Sequence, residues 1–203
     1  DEVITGIANL IESRDGSTGL HVKNTQNYVQ ILTKALREKG MYPDILDHNY
    51  ELNTVKASVL HDIGKIKTPD AILLKPGRLT DEEFEVMKQH TVAGCEIIDR
   101  IIGNVEHEEY VDIARKIARY HHERWDGTGY PDGLSGEEIP LCARIMALAD
   151  VFDALYQDRC YKKAIRPASK VFEIIKENSG SQFDPNLTEI FLELQREITD
   201  ISE

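Results

Sequence analysis

Apolar residues recur along this chain at intervals of three and four, and the period-two alternation of β-branched residues that marks half-buried strands is hardly found. That spacing predicts helices over about 2–13, 19–39, 44–62, 81–102, 108–123, 137–157, 168–178 and 185–200. The expected fold class is therefore all-α. Thr80 and Glu83 form a capping-box pattern that opens the fourth helix, and Pro76-Gly77 marks the loop before it. The longest break is Asp126-Gly-Thr-Gly-Tyr-Pro-Asp-Gly-Leu-Ser-Gly136, rich in residues that permit tight turns and close backbone approach. Trp125 and Tyr130 at its edge set it apart from a linker. No repeat, low-complexity tract or internal domain boundary is found, and 203 residues suit one domain better than two.

Against that helical background, ionisable side chains interrupt apolar faces at five places. Burying a lone charge costs several kcal/mol unless it is paired or bound to a metal. His61 and Asp62 sit among Val55, Val59, Leu60 and Ile63, and Asp150 lies within a nearly continuous apolar run. The stripe Ile113, Ala114, Ile117, Ala118 continues at helical steps to His121 and His122. His90 follows Phe84 and Met87 on one face, and His21 precedes Thr25, Tyr28 and Leu32 on another. Any one such histidine is more often a hydrogen-bonded core residue than a ligand. Five of the seven histidines coinciding with two aspartates point instead to metal.

Imidazole nitrogen and carboxylate oxygen suit Fe, Mn or Zn, and the lack of thiolates argues against a structural zinc cluster. Seven ligands exceed the needs of one ion, so two ions sharing a carboxylate is the simplest arrangement, with Asp62 as the bridge. Such a pair lowers the pKa of bound water and clamps the attacking and leaving oxygens of a phosphoryl centre, which makes phosphate-ester hydrolysis the leading chemistry. Lys65, three and four residues beyond Asp62 and His61, is expected on the same helical face, within reach of the water or phosphate.

Composition narrows the picture. With 36 acidic against 24 basic residues, a net charge of −12 argues against a DNA or RNA surface. Cys95, Cys142 and Cys160 are widely separated and read as reduced, cytosolic thiols. The absence of a long apolar run or a signal-peptide pattern predicts a cytoplasmic domain without direct membrane contact. Because the sequence begins inside an amphipathic stretch (Ile4, Ile7, Ala8, Ile11), residues 1–14 are expected to be a connecting helix and 15–203 the domain proper.

Four blocks carry a resemblance: His61-Asp-Ile-Gly-Lys65, Leu74-Lys-Pro-Gly-Arg-Leu-Thr80, His121-His-Glu-Arg-Trp-Asp-Gly-Thr-Gly-Tyr-Pro131 and Ala143-Arg-Ile-Met-Ala-Leu-Ala-Asp150. In this order, between about Arg14 and Pro185, they closely resemble the HD-GYP family of the HD superfamily of metal-dependent phosphohydrolases. The resemblance implies a single helical domain with a metal site in the bundle core, and a bacterial cyclic di-GMP phosphodiesterase fused to a sensory or receiver domain that sets where the whole protein is anchored. It implies one ion held by His21, His61, Asp62 and Asp150, and a second by Asp62, His90, His121 and His122. Lys65 takes the place of the family lysine, and Arg159 and Lys162 that of its phosphate-contacting pair. Family members that hold three metals carry a glutamate four residues before the first histidine; Ser17 occupies that position here, so two ions, Fe or Mn, are expected.

The expected reaction is attack of a metal-bridged hydroxide on phosphorus, with Asp62 and Lys65 as the catalytic residues, giving linear pGpG, GMP or both. Alternatives are cleavage of another cyclic dinucleotide such as cyclic GMP-AMP, hydrolysis of a nucleotide or alarmone as elsewhere in the superfamily, and a sensor that binds without cleaving. The Gly129-Tyr130-Pro131 loop is also a candidate docking point for a GGDEF or adaptor protein.

Overall fold

The computed structural model describes residues 2–15, 20–103, 107–157 and 164–202. It contains ten α-helices and no strand among the described residues: α1 Glu2–Glu12, α2 His21–Glu38, α3 His48–Ala57, α4 Asp70–Leu73, α5 Asp81–Ile102, α6 Glu108–Tyr120, α7 Leu141–Tyr156, α8 Ala168–Glu177, α9 Pro185–Glu193 and α10 Gln195–Ser202. The all-α expectation holds. Helix α7 is apolar nearly all round, and such a helix belongs in the middle of a bundle. Twelve of its residues are buried, and it packs against α2, α6, α8 and α9. Phe152 is its anchor, ringed by Tyr28, Tyr156, Phe172 and Phe191 at centroid distances of 4.9–5.6 Å. Burying an aromatic side chain of this size contributes roughly 1.5–3 kcal/mol.

The capping box at the start of α5 forms as expected, with Thr80 accepting from the Glu83 amide and Glu83 from the Thr80 amide. Four of the expected helices differ from the periodicity in where they run. The helix expected over 44–62 begins only at His48, because Asp47 caps it by accepting from the Tyr50 amide at 2.7 Å. It ends at Ala57 and gives way to two 3₁₀ turns, Ser58–Leu60 and Ile63–Lys67, so His61 and Asp62 occupy the junction of two tight turns. The reason is close packing. A Cβ on Gly64 would lie 1.8 Å from the His90 carbonyl oxygen, so only glycine lets this turn press on α5.

The helix over 108–123 stops at Tyr120, leaving His121 as its cap and His122 in the turn beyond. The helix over 137–157 starts at Leu141, after Pro140, and 185–200 is interrupted at Leu194. Helix α1 packs on α2 and on both 3₁₀ turns, burying Ala8 and Ile11 in the common core. No helix among the described residues is long and apolar enough to cross a membrane.

Candidate metal centre

The five segments singled out by their misplaced polar residues converge on one mostly buried cluster. His21 opens α2, His61 and Asp62 sit between the 3₁₀ turns, His90 lies mid-way along α5, His121 and His122 follow α6, and Asp150 faces them from α7. His21, His61, Asp62, His90 and His121 are all buried, and His122 and Asp150 are half-buried.

Each of the four buried imidazoles is oriented the same way. The Nδ1 of His61 bonds the Ser58 carbonyl at 2.8 Å, that of His90 the Met87 carbonyl at 2.7 Å, and that of His121 the Ile117 carbonyl at 2.9 Å. His21 differs in using a carboxylate, Asp153 Oδ2 at 2.7 Å, which also accepts through Oδ1 from Asn24. Holding Nδ1 against an acceptor fixes each ring and turns its Nε2 inward, the usual preparation of a metal-binding histidine.

The inward atoms form two groups that share Asp62. One is Glu12, His21, His61 and Asp62; the other is Asp62, His90, His121 and His122; within each, the ligand atoms lie within 4.8 Å of one another. Asp62 divides its two oxygens between them. Oδ1 lies 3.3 Å from His90 Nε2 and 3.7 Å from His121 Nε2, whereas Oδ2 lies 3.4 Å from His61 Nε2 and 2.6 Å from Lys65 Nζ. Asp150 stands outside both groups but near the first, with Oδ1 3.5 Å from His21 Nε2.

Asp62 Oδ1, His90 Nε2 and His121 Nε2 are buried without a hydrogen-bond partner among the described residues. Leaving three such atoms together costs about 1–3 kcal/mol each. A divalent cation satisfies all three at once, so the residues present fit a metal by number, type and orientation.

Electrostatics separate the two groups. Burial alone lowers the His61 pKa, yet Asp62 beside it, with Asp150 and Glu12 nearby, raises it to about 9. Burial lowers His90 to about 4, with His121 adding to the effect against Asp62. Burial and the neighbouring His121 and His90 hold His122 well below its ordinary value. Against a burial penalty in the other direction, Lys65 and His61 keep the Asp62 carboxyl ionised, and His61 and His21 do the same for Asp150.

Lys65 lies in a 3₁₀ turn rather than on the α-helical face expected, with Nζ 2.6 Å from Asp62 Oδ2. Ser17, Arg159 and Lys162 lie outside the described residues. Two carboxylates of the centre were not singled out in the sequence. Glu12 ends the α1 stripe of Ile4, Ala8 and Ile11, and Asp153 sits one helical turn beyond Asp150; an acid on a buried face was the available signal in both cases.

The Gly-Tyr-Pro loop folds back onto this centre. The Tyr130 ring lies 4.9 Å from the His122 ring and 5.9 Å from Phe84. Gly129 passes so close to the backbone of Glu123 and Arg124 that a Cβ there would come within 2.3 Å of the Arg124 nitrogen. Glu123, itself buried, holds the next stretch by accepting from the amides of Asp132, Gly133 and Leu134 at 2.7–3.1 Å.

Known proteins resemble this chain in sequence and fold. Residues 8–187 match the family described as HD domain. A cyclic di-GMP phosphodiesterase of Vibrio cholerae serotype O1 is 45% identical over 205 residues, covering 100% of this chain and 41% of that protein. A cyclic di-GMP phosphodiesterase of Thermotoga maritima is 42% identical over 200 residues, covering 98% and 50%. The crystal structure of a cyclic GMP-AMP specific phosphodiesterase of V. cholerae shares the fold, with a TM-score of 0.63 at 19% identity over 98% of this chain and 52% of that one. The chain belongs to the HD domain family. It spans half or less of the length of the curated relatives it matches.

Proposed function

We propose that this chain is the catalytic domain of a bacterial phosphodiesterase that hydrolyses cyclic di-GMP to linear pGpG, GMP or both. The observation that carries the reading is the pair of ligand groups joined by the divided Asp62 carboxylate, with Lys65 Nζ 2.6 Å from one of its oxygens. Relatives named as cyclic di-GMP phosphodiesterases at 42–45% identity supply the substrate.

Two divalent ions, Fe or Mn, would be held by His21, His61, Asp62 and Asp150 on one side and by Asp62, His90, His121 and His122 on the other. When bound they supply an activated water and neutralise charge on the phosphoryl oxygens. The chain's own residues do the rest. Asp62 fixes the spacing of the two groups, and Asp153 and the three carbonyls hold the imidazoles in register. Lys65 places a positive charge beside the reacting phosphate, where it stabilises negative charge as it develops. Arg159 and Lys162 bring further cations to a dianionic dinucleotide, which offsets the acidic character of the chain as a whole.

Residues 1–14 would connect the domain to a sensory or receiver unit, and the domain itself would lie in the cytoplasm. A GGDEF or adaptor partner at Gly129-Tyr130-Pro131 has less support, since close backbone packing already accounts for Gly129 and Tyr130 turns toward His122.

The test is to purify the protein without air exposure, quantify its metal, and follow cyclic di-GMP and cyclic GMP-AMP by chromatography. Cleavage of cyclic di-GMP with two ions per chain is expected. Preference for cyclic GMP-AMP would reassign the substrate, three ions per chain would overturn the metal count, and cleavage of neither with both positions filled would make this a binding module.

A further inference from the structure

Glu12 is the last residue of α1 and only 3% exposed, on the same face as Ala8 and Ile11. A carboxylate in that setting is retained at a cost unless a cation meets it. One cation is near, since Lys65 Nζ lies 3.6 Å from Glu12 Oε1, but the same ammonium is 2.6 Å from Asp62 Oδ2 and so belongs first to Asp62. Glu12 and Asp62 flank this one lysine while Asp150 and Asp153 flank His21, so negative charge gathers on the His21 and His61 side of the centre.

The segment after Glu12 is tied down. Arg14 Nη1 donates to the carbonyls of Lys65 and Ile66 at 3.3 and 3.2 Å, and Nη2 to the Thr68 carbonyl at 3.4 Å and to Asp70 Oδ1 at 2.6 Å. The end of α1 is thus clamped to the turn that carries Lys65. Its carboxylate is held where its oxygen joins His21, His61 and Asp62 within 4.8 Å, a set that Asp150 does not enter.

We infer that Glu12 is a ligand of the first metal ion, supplied by α1 and additional to the set His21, His61, Asp62 and Asp150. This rests on the proposed two-ion reading. It makes the seating of α1 on the turn 63–67 part of the affinity of that ion. A shift of α1 along its contact with this turn withdraws a ligand without disturbing the second group.

The rival role for Glu12 is counter-ion to Lys65 alone, and a double-mutant cycle separates the two. Wild type, Glu12→Gln, Lys65→Met and the double variant are loaded anaerobically with Mn²⁺. Metal per chain is then measured by elemental analysis, and its loss is followed against a graded chelator. In the Lys65→Met background a counter-ion role is void, and the amide introduced by Glu12→Gln faces no lysine there, which protects the variant against a folding defect.

Wild type and Lys65→Met are expected to hold two ions. Both chains with the Glu12→Gln change are expected to keep one ion and release the other at about tenfold lower chelator. Wild-type stoichiometry and chelator response in the double variant would overturn the assignment, as would a Glu12→Gln effect that disappears with Lys65→Met. Failure of the wild-type chain itself to bind metal would count against the proposed function, independently of Glu12.

Discussion

The two halves of the centre use the same residue type and treat it in opposite ways. On the α1–α2 side, carboxylates crowd the imidazoles: Asp150 and Asp153 flank His21, Glu12 lies close by, and His61 rises to about 9. On the α5–α6 side, three imidazoles share a single carboxylate oxygen, and His90 falls to about 4. Burial acts in the same direction on both sides, so the difference comes from the number of carboxylates within reach. The first half is an anionic pocket suited to hard cations held by charge. The second is a nearly neutral cluster of nitrogen donors suited to borderline metals held by directed lone pairs. A chelator titration should therefore empty the halves in two steps.

The largest effect is expected where the halves meet. Asp62→Ala removes one oxygen from each group, and turnover of cyclic di-GMP should fall at least about a thousandfold with loss of both ions. Chromatography and metal analysis on one preparation check this, and normal rates with two ions bound would refute the shared role of Asp62.

Next is the contact that brings the two halves together. Gly64→Ala places a Cβ against the His90 carbonyl, backbone against backbone, so neither side can yield locally. Unfolding free energy should drop by about 3 kcal/mol or more in denaturant titration. A variant as stable as wild type would mean that the turn 63–67 does not need this close approach.

Gly64 also shows where periodicity stops being informative. The apolar spacing around Val55, Val59 and Ile63 reads as one helix, and nothing local announces that the backbone tightens into 3₁₀ turns at 58 and 63. That change is imposed by α5, far along the chain, through a contact visible only once the two segments are adjacent. The histidines were legible because imidazoles on apolar faces have no ordinary reason to be there. Glu12 was not, because an acid at the end of an amphipathic helix normally reads as a solvated terminus. Asp153 was hidden by Asp150, whose apolar surroundings already accounted for one buried acid in the segment. The long-range pairing Asp153 to His21 spans 132 positions and leaves no trace in local spacing.

Asp153 yields the sharper test of the asymmetry, because it supports only the first half. Asp153→Asn keeps the size of the side chain and an acceptor for His21 Nδ1 but removes the charge behind the imidazole. Affinity for the first ion should fall about 10- to 100-fold while the second ion is unaffected. Isothermal titration of the metal-free protein resolves the two events. Equal weakening of both would mean that Asp153 acts on the fold as a whole.

The smallest effect is expected from the matching change on the other side. Glu123 follows the paired histidines directly and holds residues 132–134 through three backbone amides, using both carboxylate oxygens. Burial raises its pKa, opposed by those same amides, so the ionised carboxylate depends on the loop as much as the loop depends on it. Glu123→Gln leaves one oxygen to accept and turns an amide donor toward backbone N–H groups that are themselves donors. The loop should loosen around Tyr130 and His122, weakening the second ion by less than about tenfold and leaving the first intact. Hydrogen exchange at the amides of 132–134 reports the loosening directly. If those amides exchange faster while both ions bind as in wild type, the loop is a cover for His122 rather than a support for it.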